Sequence, residues 1–351
     1  MPNYTTCSSV IYNYIVKSWY KPFSWFTLLL LPFSLLFRCI VYLRRKLYQT
    51  RIKKTSHFSV PVIVIGNITV GGTGKTPLVI AITKFLKNKG FSPGIVSRGY
   101  GAKKLTSPRL VSTNDRAEAV GDEPLIIARN TESPVVIFSD RVTAVKHLLA
   151  TQKCDVVISD DGLQHYAMGR EIEVAVIDGK RQLGNGYCLP AGPLREPASR
   201  LKEADCLVYN GAVHNGTNEQ EKAHHTMMLK PQNFISVADS TRKTAIKLFK
   251  NQLIHAVAGI GNPERFFLLL RELGFKVIEH AFPDHHSFVK QDIDFKDAIV
   301  IMTEKDAVKC EDFADHRHWY LSVVANIDEN FTNSLLSNLE KLRLSRKEYL
   351  L

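Results

Sequence analysis

Cysteine is scarce and scattered: the 351 residues hold six, Cys7, Cys39, Cys154, Cys188, Cys206 and Cys310, and none forms a C-x-x-C pair. A zinc ribbon and a disulfide-stapled scaffold are both excluded by that spacing. A reduced, cytosolic setting is the simplest reading. Histidines at H-x-x-x-H spacing are lacking too; the adjacent His285 and His286 do not suit one zinc ion. There is no internal repeat and no low-complexity tract. Acid is short, with 34 Asp and Glu against 46 Lys and Arg, a formal net charge of +12. That imbalance favours an anionic partner, either a phosphorylated substrate or an acidic lipid. Nucleic acid would satisfy the charge as well, but no recognition motif for it is present.

Charge is missing altogether from Pro22 to Phe37, and after Arg38 the apolar run resumes as far as Leu43. A spanning helix needs about 20 mostly apolar residues. Trp19, Tyr20 and Trp25 stand at one end, as interfacial aromatics do. Arg44, Arg45, Lys46, Arg51, Lys53 and Lys54 follow at the other, suited to anionic headgroups. No small-residue cleavage site follows, which argues against a removed signal peptide. The segment reads as a membrane anchor that either spans the bilayer or lies in its interface.

Beyond residue 60, short apolar runs alternate with helical stretches, the mark of an α/β fold. Strands are predicted at 60–65, 94–97, 135–138, 155–158, 174–177 and 206–209. Most are continuously apolar, so the sheet is expected to be parallel and covered on both faces. A helix is predicted from Lys75 to Lys89, stopped by Gly90. The Asn- and Gly-rich stretch 211–221 reads as a surface loop. A second α/β pattern follows, with strands at 254–258, 276–280 and 298–302 and a helix at 264–273. The expected organisation is an anchor with its basic flank (1–54), a P-loop NTPase domain with a mostly parallel sheet (55–235) and a smaller α/β domain (236–351).

The run Thr69-Val-Gly-Gly-Thr-Gly-Lys-Thr76 sits between predicted strand and helix, the context a phosphate-binding loop requires. Its glycines let backbone N–H groups approach phosphate oxygens. Lys75 would reach the β/γ-phosphates, and Thr76 would hold Mg²⁺. The run opens on Thr69 where the common pattern has Gly, and the doubled Gly71-Gly72 supplies the flexibility. A second carboxylate for Mg²⁺ is expected at a neighbouring strand end. Asp160 and Asp161 follow an apolar run and fit that place. Gly121-Asp-Glu-Pro124 reads on local pattern as a helix N-terminus, where acids are favourable anyway. Arg98, Arg141 and Arg195 lie in loops after strands or Gly/Pro turns, where ligand crevices form; each taken alone is an ordinary surface arginine. Thr303-Glu-Lys-Asp306 vaguely suggests a base-reading motif of GTPases, but its lysine is one place off that pattern.

Seven motifs in order, Val70-Gly-Gly-Thr-Gly-Lys-Thr-Pro77, Ser97-Arg-Gly-Tyr-Gly101, Gly121-Asp-Glu-Pro124, Asp160-Asp-Gly-Leu-Gln-His165, Pro190-Ala-Gly-Pro-Leu-Arg-Glu-Pro197, Gly259-Ile-Gly-Asn-Pro263 and Asp284-His-His-Ser-Phe288, give the chain a family. It resembles the tetraacyldisaccharide 4′-kinases of lipid A biosynthesis over nearly its whole length. Leu163 stands where that family more often has Phe. The resemblance implies transfer of the ATP γ-phosphate to the 4′-hydroxyl of a tetra-acylated glucosamine disaccharide 1-phosphate. It also implies the cytoplasmic face of a bacterial inner membrane, with no nucleic acid and no obligate protein partner. Nucleotide would be held by Thr69, Val70, Gly71, Gly72, Thr73, Gly74, Lys75 and Thr76, and Mg²⁺ by Thr76, Glu123 and Asp160. Asp122 resembles the general base, with His285 or His286 as its partner and Asp161 as a supporting acid. Arg98, Tyr100, Arg141, His165 and Arg195 resemble the residues that hold the acceptor. The rival reading is a membrane-associated P-loop ATPase switch without a lipid acceptor.

Overall fold

The structure, a computed structural model, describes residues 15–21, 24–212, 224–249 and 251–348; most of the predicted loop at 211–221 lies outside them. Thirteen strands form one sheet. They are β1 (Val62–Gly66), β2 (Pro93–Ser97), β3 (Arg109–Leu110), β4 (Val135–Ile137), β5 (Val156–Asp160), β6 (Ile172–Asp178) and β7 (Cys206–Asn210) in the first half. The second half adds β8 (His224–Ser236), β9 (Lys243–Ala245), β10 (Leu253–Ala258), β11 (Lys276–Ala281), β12 (Val300–Thr303) and β13 (His318–Ile327). Their order is β11-β10-β12-β13-β8-β7-β6-β1-β5-β2-β4-β3, with β9 on β8. The pairings are parallel except β3 with β4, β8 with β13 and β8 with β9.

The predicted strands are found, and every residue of β1, β2 and β5 is buried. Continuous apolar runs end there because helices cover both faces of a parallel sheet. The long strand β8 had no such signal. It alternates buried with exposed positions and carries Pro231, opposite which its pairing to β13 slips register. β8 and β13 carry the sheet across position 235 and join the parallel set β10–β12 to the rest. The last helix, Glu329–Glu348, turns back onto the first half, where Phe331, Leu335 and Leu339 share a core with Ile63, Leu78 and Ile82.

The helix after the glycine-rich run spans Lys75–Asn88, and Gly90 beyond it takes φ 82°. It buries Leu78, Val79, Ile82 and Leu86 against the sheet. The apolar N-terminal segment is one helix, Trp25–Gln49, running through Pro32. It is the one helix among the described residues long and apolar enough to cross a membrane. Trp25, Leu29, Phe33, Leu36, Ile40 and Leu43 stand exposed on it. Its other side is docked: Ser34 Oγ donates to the Cys188 carbonyl (2.7 Å), Arg44 to the Gln164 carbonyl (3.2 Å), and Arg45 pairs with Glu203.

Candidate active site

Parallel strands send their carboxyl ends to one side, where loops build ligand sites. Here β1 leads into the glycine-rich turn, β5 ends at Asp160, β6 at Asp178, β7 at Asn210 and β12 at Thr303. Residues at and beyond these ends line a cleft of about 2260 Å³.

The turn 69–76 forms its near wall. Gly71 and Gly74 take φ of 99° and 93°, and a Cβ on Gly74 would lie 2.2 Å from Asn210 Nδ2. Glycine is required there because that amide donates to the Thr73 carbonyl (2.9 Å) and fixes the turn. Arg265 in turn donates to Asn210 Oδ1 (2.8 Å). Lys75 Nζ donates to Asn67 Oδ1 (3.2 Å) and lies 3.5 Å from Asp161 Oδ1. Across from it, a Cβ on Gly261 would come within 2.8 Å of Gly72 N, so the loop after β10 presses on the turn itself.

The adjacent aspartates have opposite environments. Asp160 is buried; Ser97 Oγ donates to its Oδ2 (3.2 Å), while Oδ1 has no hydrogen-bond partner among the described residues. Burial first, then Glu123 and Asp161, push its carboxyl up to about 7. Burial would raise Asp161 as well, but Lys75 and Arg195 hold it at about 2. Arg195 Nη1 lies 3.1 and 3.0 Å from the two Asp161 oxygens. An orphaned buried carboxylate oxygen at this strand end suits a divalent cation whose other ligands come from hydroxyls and a bound anion; among the described residues no three His, Cys, Asp or Glu side chains converge to hold one by themselves. Thr76 and Glu123 line the same cleft.

Opposite the turn, Gly121 (φ 90°) lets the chain enter the helix Asp122–Thr131. The local reading of Gly121–Pro124 as a helix N-terminus holds, and the same turn carries a charge cluster. Asp122 Oδ1 accepts from the Glu123 N–H (2.9 Å). Around Asp122 Oδ2 stand His285 Nδ1 at 3.3 Å, Lys309 Nζ at 3.5 Å and Lys305 Nζ at 4.0 Å. Burial would raise the Asp122 carboxyl, but His285 and the two lysines hold it below its ordinary value. His285 takes φ 61° and tilts against the Tyr100 ring, 4.4 Å between centroids. His286 points elsewhere: its Nε2 lies 2.9 Å from Asp292 Oδ2, and its ring packs on Phe282 and Phe288. The structure thus brings His285, and not His286, to Asp122.

Arg98, Tyr100, Arg141, His165 and Arg195 line the cleft. Arg141 is no surface arginine. It is buried, its guanidinium donating to the carbonyls of Phe138 (3.0 Å) and Asp160 (3.2 Å), and burial pulls it down to about 10 against Asp160 and Asp161. Burial, then Arg141, Arg98 and Arg44, push His165 down to about 4.

Asn67, Asn210, Arg265, Lys305 and Lys309 were missed in the sequence. Lys305 lies in the Thr303–Asp306 run, which motif reading set aside. The run caps a helix: Thr303 Oγ1 donates to Asp306 Oδ2 (2.6 Å), which also accepts from the Gly259 N–H (3.0 Å). Only tertiary packing brings that helix to Asp122.

Residues 26–340 match the family model described as tetraacyldisaccharide-1-P 4′-kinase. Curated relatives carrying the name tetraacyldisaccharide 4′-kinase are similar throughout. The protein of Methylobacillus flagellatus is 44% identical over 332 residues, 94% of this chain and 97% of its own. That of Coxiella burnetii (strain RSA 331) is 45% identical over 336 residues, 95% and 98% of the two chains. That of Legionella pneumophila (strain Corby) is 47% identical over 310 residues, 88% and 93%. Among solved structures, LpxK from Aquifex aeolicus in complex with ATP superposes with a TM-score of 0.74 at 28% identity, covering 89% of this chain and 99% of that one.

Proposed function

The chain belongs to the tetraacyldisaccharide-1-P 4′-kinase family, and on that footing we propose how its cleft carries out the family's reaction. It is an ATP-using phosphotransferase of lipid A biosynthesis. The acceptor is the 4′-hydroxyl of tetraacyldisaccharide 1-phosphate. The observation that carries the reading is the pairing, in one cleft, of a glycine-rich turn with Lys75 against Glu123, His285 and the Asp122 behind them.

Phosphoryl transfer asks mainly for positioning and neutralised charge. The backbone N–H groups of Gly71 to Thr76 and the Lys75 ammonium bind the phosphates, helped by the N-terminus of the helix Lys75–Asn88. Asp161, itself gripped by Arg195, keeps Lys75 extended towards them. Thr76, Glu123 and Asp160 would hold Mg²⁺, which would supply charge neutralisation for the transferring phosphate. Asp122 takes the proton of the attacking hydroxyl, and His285 holds its carboxylate in place. An acceptor sugar approaching Asp122 passes Tyr100 and His285. Arg98, Arg141, His165 and Arg195 give the acceptor a basic, partly buried wall, suited to its phosphate.

The helix Trp25–Gln49 supports seating at a membrane. Its exposed Leu, Phe and Trp side chains need a covering, and lipid is the covering that an acylated substrate brings. Docking by Ser34, Arg44 and Arg45 along its length favours a helix lying in the interface, apolar side down, over a free-standing span. The basic flank and the reduced cysteines favour the cytoplasmic face of the inner membrane. The halves on either side of β8 act as two lobes, the smaller one closing on nucleotide through Gly261.

The test is transfer of labelled γ-phosphate from ATP to purified tetraacyldisaccharide 1-phosphate in micelles. Label is expected in lipid only with Mg²⁺ and acceptor both present. Free phosphate released equally without acceptor, and no labelled lipid, would instead favour a P-loop ATPase switch.

A further inference from the structure

Lys305 lies inside the acid cluster and has a task beyond neutralising it. Its Nζ is 3.1 Å from Glu123 Oε1, 3.2 Å from Asp284 Oδ1 and 3.3 Å from His285 Nε2. A lysine ammonium has three N–H donors and no acceptor. All three donors have a partner here: the two carboxylate oxygens can only accept, and a ring nitrogen that faces an ammonium must accept as well. The contact to His285 therefore fixes the imidazole: Nε2 must offer its lone pair, and the ring's proton must sit on Nδ1. That nitrogen stands 3.3 Å from Asp122 Oδ2, a buried oxygen that has no hydrogen-bond partner among the described residues and at which the Nδ1 proton would be aimed.

The opposite tautomer has nowhere to go. A proton on Nε2 would face the ammonium. Asp284 Oδ1 is 3.8 Å from Nε2, beyond hydrogen-bond reach. Nδ1 would then present a lone pair to the Asp122 carboxylate, acceptor against acceptor. A free imidazole in water is under no such constraint. Lys305 can enforce it because three elements hold it: its own helix Glu304–Cys310, the N-terminus of Asp122–Thr131 and the loop after β11.

We propose that Lys305 is a positioning residue that locks His285 in its Nδ1–H tautomer, so that the imidazole donates to the Asp122 carboxylate and orients it for the acceptor hydroxyl. In this arrangement His285 is an orienting donor and never the first proton acceptor. Lys305 also staples the loop after β11 to the Asp122 helix, so the lock forms only when the two halves of the cleft are together. The catalytic consequence rests on Asp122 as the base; the tautomer does not, and can be read separately.

The experiment uses the full-length protein in detergent with ¹⁵N-labelled histidine, the His285 signals assigned by comparison with His285→Gln. At mildly alkaline pH free imidazole is neutral. Wild type should show Nδ1 protonated and Nε2 bare. Lys305→Met should shift the pattern towards protonated Nε2. Its kcat should fall about 10–100-fold, a part of what a placed general base contributes, with the KM for ATP unchanged. A wild-type spectrum with the proton on Nε2 would overturn the proposal outright, and needs no variant to fold. So would a Lys305→Met protein whose activity falls while the His285 tautomer stays put, because that is the signature of a merely structural lysine. Full activity in Asp122→Ala with the wild-type tautomer retained would remove Asp122 as base and leave the lock standing.

Discussion

Lys75 and His165 show how differently two basic side-chain types are used in one cleft. Lys75 is held between Asn67 and Asp161, charged and aimed along the turn. Replacing it with Ala should lower kcat about 10²–10³-fold, the usual loss for one preorganised electrostatic donor; a steady-state assay in micelles measures it. His165 is kept neutral. Its folded-state pKa of about 4 lies below the ordinary 6.5. The unfolded chain therefore takes up a proton in that window and the folded one does not, so stability is full above about 6.5 and is lost as pH falls towards 4. Urea midpoints measured across this range should drop, and His165→Gln should flatten the drop. The two histidines at 285 and 286 make a second contrast. His285→Ala should impair transfer, whereas His286→Ala, which loses a contact to Asp292 outside the cleft, should leave kcat near wild type and lower thermal stability. The reverse ranking would mean that the partner of Asp122 has been misassigned.

At the scale of elements, the glycine-rich turn and the strand-end acids were legible because their signal is local. A strand, a turn and a helix follow one another within thirty residues, and Asp160 closes an apolar run. The Asp122 cluster was legible only through family resemblance, since an acid at a helix N-terminus is favourable for dipole reasons alone. Lys305 and Lys309 were not legible: the run Thr303–Asp306 pointed faintly to a different chemistry, nothing marked Lys309, and their meaning comes from a helix packed against another about 180 residues away in the chain. The strand β8 was hidden by its alternation and by Pro231, because it is half exposed where β1, β2 and β5 are enclosed. The entry to the Asp122 helix also carries a backbone requirement. Gly121 takes φ 90°, and a Cβ there would stand 2.6 Å from the Tyr100 carbonyl. Gly121→Ala should cost about 1–3 kcal/mol of stability by denaturant unfolding, as strained left-handed positions do, and should displace Asp122 enough to reduce turnover as well.

On the scale of the whole molecule, one sheet carries both the glycine-rich turn and the loop after β10 that presses on it. The last helix returns to the first half and ties the chain together. Arg44, on the N-terminal helix, lines the cleft and donates to the Gln164 carbonyl, so the apolar helix and the cleft are joined through one side chain. Leu29→Lys with Leu36→Lys should weaken binding to anionic vesicles, about 1.5–3 kcal/mol for each leucine no longer covered, while ATP affinity in detergent stays the same; flotation and equilibrium binding measure the two.

The most direct measurement is single-turnover transfer of the γ-phosphate to tetraacyldisaccharide 1-phosphate by Asp122→Ala, with ATP affinity determined on the same preparation. A base at Asp122 predicts a transfer rate about 10²–10⁴-fold below wild type with ATP binding unchanged. A wild-type transfer rate would contradict the assignment of Asp122 and, with it, the account of this cleft.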